Sequence, residues 1–171
     1  MAAADGADGP ARHARDLVFS KEEGATLRSG SVLVAGCGGL GGHVLELLAR
    51  LGVGEAPGGL LRAVDPDLVE ESNLNRQLLA TEATLGRPKA EAALGRVRLV
   101  NPGIRADALA VRLDSRNAYG LLEGCALAVD CLDSVASRLE LAAACEERGI
   151  PLVHGAVAGW YGQVATVFPG D

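Results

Sequence analysis

The sequence predicts an α/β fold with a doubly wound, mostly parallel sheet and an antiparallel strand near the C-terminus. Two observations predict it. Short apolar runs alternate with stretches in which apolar residues recur at helical spacing, the pattern of parallel strands joined by crossover helices. A glycine-rich turn over residues 36–42 also follows the apolar run 31–35 directly and opens into a helix over 44–51. In such a sheet, ligands bind at the carboxyl ends of the strands, beside the glycines.

The other elements follow from the same patterns, taken in chain order. Residues 1–11 are predicted to be a disordered tail because they are mostly Ala, Gly and Asp, and one domain is predicted over 12–171. A helix is predicted over 12–27, broken near Gly24. The polar stretch 70–84 has no clear period and is predicted to be a functional loop or a short helix. Further strands are predicted over 60–64, 104–113, 127–129, 151–153 and 164–168, and further helices over 88–99, 115–122 and 135–147.

The core is predicted to consist of Ala, Val and Leu, because aromatic residues make up only 3% of the chain. Helical spacing selects the side chains that face it. In the two longest helices after the glycine turn these are Ala90, Ala93, Leu94, Val97, Val135, Leu139 and Ala142.

Composition excludes several classes of function. A net charge of −6 argues against general nucleic-acid affinity, which requires a surplus of Lys and Arg. No apolar run approaches the roughly 20 residues of a membrane span. The four cysteines form no C-x-x-C pair, so we expect reduced, mostly buried thiols in a cytoplasmic protein and no zinc site within this chain.

The glycine turn predicts that the chain binds a nucleotide. Gly36, Gly38 and Gly41 match the G-x-G-x-x-G pattern of Rossmann-like domains. Glycine permits close backbone approach, and the N–H groups that begin a helix bind phosphate. Asp65 follows the second strand, where an acidic side chain can accept hydrogen bonds from ribose hydroxyls. Alternatively, Asp65 simply begins the turn at Pro66.

Two cations distinguish this chain from a dehydrogenase. A reacting triphosphate requires Arg, Lys and a divalent metal more than a bound NAD does. Lys89 is predicted in the first turn of a helix, where the macrodipole disfavours a cation. It would be explained by an anionic ligand, although it could also be a solvated surface lysine. Arg76 could likewise contact phosphate, or form an ion pair with Glu70 or Glu71.

Asp133 has two interpretations of equal weight. It follows a predicted buried strand and could hold Mg²⁺ through one carboxylate oxygen. It could also be the N-cap of the next helix. The histidines, His13, His43 and His154, show no ligand or triad spacing and are interpreted as structural.

Five motifs in order make the chain similar to the adenylating domain of the MoeB/ThiF/HesA family, the bacterial relatives of ubiquitin-activating enzymes. They are Gly-x-Gly-Gly-Leu-Gly, Asp-x-Asp, Ser-Asn-Leu-Asn-Arg-Gln, Gly-x-Pro-Lys and Asp-Cys-x-Asp. The glycine motif is common, but the ordered set is highly specific. The resemblance covers about residues 12–168.

The resemblance implies ATP-dependent adenylation. The C-terminal glycine carboxylate of a ubiquitin-like sulfur-carrier protein ending in Gly-Gly would attack the α-phosphate of Mg·ATP and release pyrophosphate. It implies a homodimer in the thiamine or molybdenum-cofactor pathway. A related enzyme acting on a modified tRNA adenosine and a non-catalytic or NAD-binding module remain as alternatives.

The resemblance also implies residue roles. Arg76, Lys89 and Asp133 would be catalytic, with Asp133 holding the metal. Arg15 would enter the neighbouring subunit's ATP site, although Asp16 stands where the family more usually has Gln. The implied nucleotide-binding residues are Gly36, Gly38, Gly39, Gly41, Asp65, Asp67, Ser72, Asn73, Asn75, Gln77 and Ser134.

Family members continue beyond the region that matches Phe168 into a paired C-x-x-C zinc site and a loop that carries a cysteine. Neither is present in this sequence. The domain is therefore expected to be incomplete at its C-terminus relative to the family. Zinc binding and thioester or persulfide chemistry on that cysteine are not expected of these residues.

Overall fold

A computed structural model describes residues 11–14, 16 and 18–171. Its centre is the strand β1 (Ser31–Ala35), which is buried along its whole length. The other strands are β2 (Leu60–Val64), β3 (Ala106–Leu109), β4 (Leu127–Asp130), β5 (Leu152–Ala158) and β6 (Tyr161–Val167). The helices are α1 (Lys21–Arg28), α2 (Gly41–Leu51), α3 (Lys89–Val100), α4 (Ala118–Leu121) and α5 (Val135–Arg148).

The strands of the described residues form one sheet in the order β3-β2-β1-β4-β5-β6. Every neighbouring pair is parallel except β5 and β6, which form an antiparallel hairpin. The predicted fold class is confirmed, including the antiparallel strand at the C-terminal end. The strand order reverses direction at β1, so the crevice between β1 and β4 is the switch point where ligands bind in such sheets.

Alternate residues of β1 belong to two separate cores. Leu33 packs with side chains of α4 and α5 on one face of the sheet. Val32 and Val34 pack with α2 and α3 on the other face. This alternation follows from the period of two along a strand. Among the predicted core residues of α3, Ala90, Ala93 and Val97 are buried, and Leu94 is partly buried.

The prediction for the core face of α5 is wrong for two of its three residues, Val135 and Leu139. Val135 and Leu139 are 70% and 67% exposed, while Ala142 only packs against the edge of the core. The helix carries a second apolar stripe at the same helical spacing, and that stripe is buried instead. It consists of Leu141, Ala144 and Cys145.

Several predicted boundaries also change. The helix predicted over 12–27 is a short 3₁₀ turn, Ala11–His13, followed by α1, which runs through Gly24 without a break. Ser20 and Glu23 begin α1 with a reciprocal capping box. β3 is shorter than predicted because its partner β2 ends at Val64.

The hairpin β5–β6 is longer than predicted, since its two strands pair along seven positions. Apart from Ala11, the predicted N-terminal tail lies outside the described residues, as does Arg15. No helix in the described part of the chain is both long enough and apolar enough to cross a membrane.

Candidate functional site

Two glycines of the glycine turn, Gly36 and Gly41, are packed so tightly that neither can be replaced without a shift of the surrounding backbone. A Cβ atom on Gly41 would lie 1.7 Å from the carbonyl oxygen of Gly36. Gly36 itself has a φ of +92°, and a Cβ there would lie 2.6 Å from the carbonyl oxygen of Cys131. The turn is therefore pressed against the residue that follows β4, as expected at the switch point.

The segment after β2 lies against the other side of the turn. The side-chain nitrogen of Gln77 is 3.7 Å from the position of a Cβ on Gly38, and the carbonyl oxygen of Arg76 is 3.9 Å from the corresponding position on Gly39. The fold thus brings two of the predicted motifs together around an open backbone surface, since Gly39 is exposed.

Asp65, at the end of β2, fixes one edge of this backbone surface through hydrogen bonds. It is 5% exposed, and each of its carboxylate oxygens accepts a backbone N–H. Cys37 donates to Oδ2 at 2.7 Å, and Asp67 donates to Oδ1 at 2.8 Å. Burial raises the pKa of Asp65 above its ordinary value, while these two N–H donors and Lys89 act in the opposite direction. Asp65 thus fixes both the glycine turn and its own Asx turn at Pro66, while its contact with a ribose stays a prediction.

Lys89 is not a solvated surface lysine. It is only 9% exposed, and its Nζ donates to Asp67 Oδ2 at 3.0 Å. Its backbone N–H donates to the carbonyl oxygen of Asp67 at 2.8 Å, which places the first turn of α3 beside the end of β2. Burial of an ammonium is costly unless it is paired. Asp67 supplies that pair at the rim of the candidate site.

Arg76 does not form the predicted alternative ion pair with Glu70 or Glu71 within the described residues. Its Nη1 instead donates to the carbonyl oxygen of Ser72 at 2.8 Å and to Asn75 Oδ1 at 3.0 Å. The side chain is exposed. It is thus held by neutral acceptors, which leave its charge uncompensated.

The segment that carries Arg76 is shaped by its own side chains. It contains a 3₁₀ turn, Glu71–Asn73, as the predicted loop or short helix. The buried Asn73 accepts the backbone N–H of Glu70 at 3.1 Å, and Ser72 donates to the Glu70 carboxylate at 3.3 Å.

At the end of β4, the structure separates the two interpretations of Asp133. The N-cap of α5 is Ser134, whose side chain accepts the backbone N–H of Ser137 at 3.5 Å. Asp133 is exposed and takes part in no ion pair with the residues that the structure describes. The interpretation of Asp133 as the N-cap is therefore wrong.

The donor set at this site suits a magnesium ion that is held by a single protein carboxylate. No group of three or more His, Cys, Asp or Glu side chains able to hold a metal occurs among the described residues. Mg²⁺ dehydrates reluctantly and is commonly bound by one or two carboxylates together with substrate phosphates. Asp133 meets that requirement as a single free carboxylate, whereas Asp67 is already paired with Lys89.

A cluster of titratable side chains that the sequence did not predict lies at the end of β4, next to the loop that contains Asp133. Asp130 is 1% exposed and accepts His154 Nδ1 at 2.7 Å through Oδ2. Arg138 forms an ion pair with the same oxygen at 3.4 Å. One signal could have found Arg138: like Lys89, it is a cation in the first turn of a helix, where the macrodipole disfavours it.

The interpretation of the cysteines and of the other two histidines as structural stays a prediction. All four cysteines are free, and three of them are buried. Burial raises the pKa of the thiols of Cys131 and Cys145 to about 11, so neither is an activated nucleophile. His13 lies between Asp16 and Glu55, at 2.9 and 2.7 Å, and His43 donates to the carbonyl oxygen of Gly39 at 2.8 Å.

Comparisons with known proteins agree with this geometry. The family model described as the ThiF family matches residues 11–171. The chain is 38% identical to the SAMP-activating enzyme E1 of Haloferax volcanii, over 92% of this chain and 58% of that protein. It is 39% identical to the molybdopterin-synthase adenylyltransferase of Salmonella typhimurium, over 92% of this chain and 62% of that protein.

Solved structures give the same result. The tRNA N6-threonylcarbamoyladenosine dehydratase of E. coli in complex with ATP superimposes with a TM-score of 0.78 and 29% identity, over 85% of this chain and 58% of that one. The chain thus spans about three fifths of the length of the relatives it matches. By its sequence and its fold, this chain belongs to the ThiF family.

Proposed function

We propose that this chain is the ATP-binding adenylation domain of an enzyme that activates the C-terminal glycine of a ubiquitin-like sulfur-carrier protein. The observation that carries the proposal is the buried Lys89, which is held beside the glycine turn by Asp67. A dinucleotide-binding domain satisfies a pyrophosphate with backbone N–H groups alone and has no use for a buried ammonium there. The names of the relatives support the choice of substrate, since they include molybdopterin-synthase and sulfur carrier protein adenylyltransferases.

In the proposed reaction, a carboxylate oxygen of the carrier's last glycine attacks the α-phosphorus of ATP. The bond between the α-phosphorus and the α,β-bridging oxygen breaks, and pyrophosphate leaves with that electron pair. The products are an acyl-adenylate and pyrophosphate, and no proton is transferred. The nucleophile and the triphosphate are both anions, so the protein must compensate their repulsion with positive charge.

The proposed roles of the chain's own residues follow from this requirement. Arg76 and Lys89 supply the positive charge, and the backbone N–H groups after Gly38 hold the phosphates. Asp65 keeps the turn in place and presents its remaining lone pairs to the ribose. Asp133 would hold Mg²⁺, which would supply further positive charge against the phosphates. The residues proposed to line the rest of the nucleotide site are Gly36, Gly39, Gly41, Asp67, Ser72, Asn73, Asn75, Gln77 and Ser134.

The test is ATP–pyrophosphate exchange with purified sulfur-carrier proteins that end in Gly-Gly. Exchange that requires the carrier and stops when its last glycine is deleted supports the proposal. The similarity to the tRNA-modifying enzyme favours one alternative, so tRNA is tested in place of the carrier. Exchange or AMP release with tRNA alone would exclude the proposed substrate, and tighter binding of NAD than of ATP would exclude adenylation.

We further propose that the active enzyme is a homodimer in which Arg15 of one subunit completes the site of the other. Positive charge delivered from a partner stabilises the transition state only in the assembled complex, like an arginine finger. Exposed apolar side chains such as Val135 and Leu139 are available for an interface.

Mixing the inactive variants Arg15→Ala and Asp133→Ala tests this sharing of sites. Random pairing in a symmetric dimer restores about a quarter of wild-type activity, because half of the dimers are mixed and each mixed dimer has one complete site. No recovery in dimers that are shown to exchange subunits, or full activity of a monomer, would contradict the shared site.

A further inference from the structure

We propose that Arg138, together with Asp130 and His154, is a positioning residue that holds Asp133 in place for the nucleotide. We refer to these three side chains as the β4–β5 clamp. The inference rests on the proposed function, because it assigns the clamp to the same site. The inference is argued from a set of hydrogen bonds that connect the loop over residues 131–134 to β1 and to β5.

The guanidinium of Arg138 connects two separate segments. Its Nη2 donates to the carbonyl oxygen of Leu132, in the loop that leads to Asp133. Its Nη1 donates to the carbonyl oxygen of Gly155, on β5, at 3.2 Å. A single planar cation therefore fixes the distance between this loop and the neighbouring strand, and its rigid fork makes it better suited to that task than lysine.

Asp130 holds the guanidinium and the loop at the same time. Its Oδ1 accepts the backbone N–H of Leu132 at 2.9 Å. Its Oδ2 accepts His154 Nδ1 at 2.7 Å and pairs with Arg138. Both backbone groups of Leu132 are therefore held by the clamp. Its N–H donates to Asp130, and its carbonyl oxygen accepts from Arg138.

The loop has little freedom on its other side. Cys131 donates its backbone N–H to the carbonyl oxygen of Ala35 at 2.8 Å. Its own carbonyl oxygen occupies the space that a Cβ on Gly36 would need. The clamp therefore holds the loop against the glycine turn through Cys131 and Leu132, and Asp133 is the next residue along that loop. Residues that orient a metal-binding carboxylate typically change metal affinity 10–100-fold when they are removed.

Hydrogen exchange of single amides tests the clamp without any catalytic measurement. The Leu132 amide should exchange about 10-fold faster in Arg138→Ala, because Leu132 loses the hydrogen bond to its carbonyl and its acceptor Asp130 loses one of its two side-chain partners. The Asp67 amide is the internal control, since it donates to Asp65 Oδ1 in the same way at the end of β2. It should be unchanged. Equal acceleration of both amides would show general destabilisation and overturn the proposal.

The magnesium requirement is the second readout. In Arg138→Ala, the Mg²⁺ concentration for half-maximal ATP–pyrophosphate exchange should rise about 10-fold or more, with the KM for the carrier unchanged within a factor of about two. The double variant Asp133→Ala/Arg138→Ala should be no slower than Asp133→Ala alone, because Arg138 acts through Asp133. Additive losses would overturn the proposal.

Two further variants keep the test decisive. Arg138→Lys retains the charge if Arg138→Ala fails to fold, and it should give intermediate values for both readouts. Arg96→Ala is the matched control, because it removes an ion pair with Glu46 (2.6 Å) between α3 and α2, on the opposite face of the sheet. It should leave both readouts unchanged.

The clamp and the proposed function can fail separately. If wild-type protein shows no exchange with any carrier, the proposed function fails, and the Leu132 amide still decides whether the clamp holds the loop. If exchange is normal but the Leu132 amide and the Mg²⁺ requirement are unaffected in Arg138→Ala, the clamp has no positioning role.

Discussion

The ends of β2 and β4 are built alike but use their second aspartate in opposite ways. At each end the first aspartate, Asp65 or Asp130, is buried and accepts a backbone N–H two residues ahead. At the end of β2 the second aspartate, Asp67, is paired with Lys89. At the end of β4 the cation, Arg138, contacts the first aspartate, and Asp133 is left without an ion pair among the described residues.

The difference shows how one fold separates two electrostatic tasks. The end of β2 presents a lysine whose position is fixed by a carboxylate, which suits contact with phosphate. The end of β4 presents an uncompensated carboxylate on a loop fixed by Arg138, which suits contact with a metal ion. Sequence motifs of the form Asp-x-Asp and Asp-x-x-Asp do not reveal this division, because it depends on where each cation lies in space.

The largest effect is expected for the buried ion pair itself. Asp130→Ala should lower the free energy of unfolding by about 3–5 kcal/mol, because it leaves the Arg138 charge without its partner. Asp65→Ala should cost less, about 2 kcal/mol, since it removes hydrogen bonds to two N–H groups but no buried charge is left unpaired. Urea denaturation measures both values. Equal losses would show that the two ends are not different in this way.

The second effect is on catalysis. Lys89→Ala and Asp133→Ala should each reduce the rate of ATP–pyrophosphate exchange about 10²-fold or more, because each removes one charged group from the transition state. Circular dichroism should show that both variants remain folded. Arg98→Ala, in the last turn of α3, serves as the control and should remain within a factor of about two of wild type, since surface changes away from a site have small effects.

The smallest effect concerns the start of α5. Ser134→Ala should lower stability by about 0.5–1 kcal/mol, the usual cost of losing an N-cap. Asp133→Ala should lower it by less than about 0.5 kcal/mol, since its side chain caps nothing. Thermal unfolding measures the difference. A greater loss for Asp133→Ala than for Ser134→Ala would restore the interpretation of Asp133 as a helix cap.

Much of the fold was predictable because its signals are local. The strands next to β1 are short apolar runs, and the glycine turn marks the start of α2, the helix that connects β1 to β2. The core face of α5 was not predictable in the same way. Val135 and Leu139 form one apolar stripe and Leu141 forms another with Cys145, and only packing on the sheet selects between them.

The site was predictable to a similar extent. Lys89 could be singled out because its place at a helix start is locally unfavourable. Its partner Asp67 lies 22 residues away in the chain, and the sequence does not indicate that pairing. The contact of His154 with Asp130 spans 24 residues and two strands. It arises only when β4 and β5 pair, which is why His154 was interpreted as an ordinary structural histidine.

The most direct test of the account is a calorimetric titration of ATP with and without Mg²⁺, carried out on wild type, Asp133→Asn and Asp67→Asn. In wild type, Mg²⁺ should tighten ATP binding, and NAD should show no saturable binding. Asp133→Asn should lose the effect of Mg²⁺ while still binding metal-free ATP, because the single free carboxylate is gone. Asp67→Asn should bind ATP with altered affinity but keep the effect of Mg²⁺. If Asp67→Asn loses that effect and Asp133→Asn keeps it, the division of tasks between the two ends is contradicted.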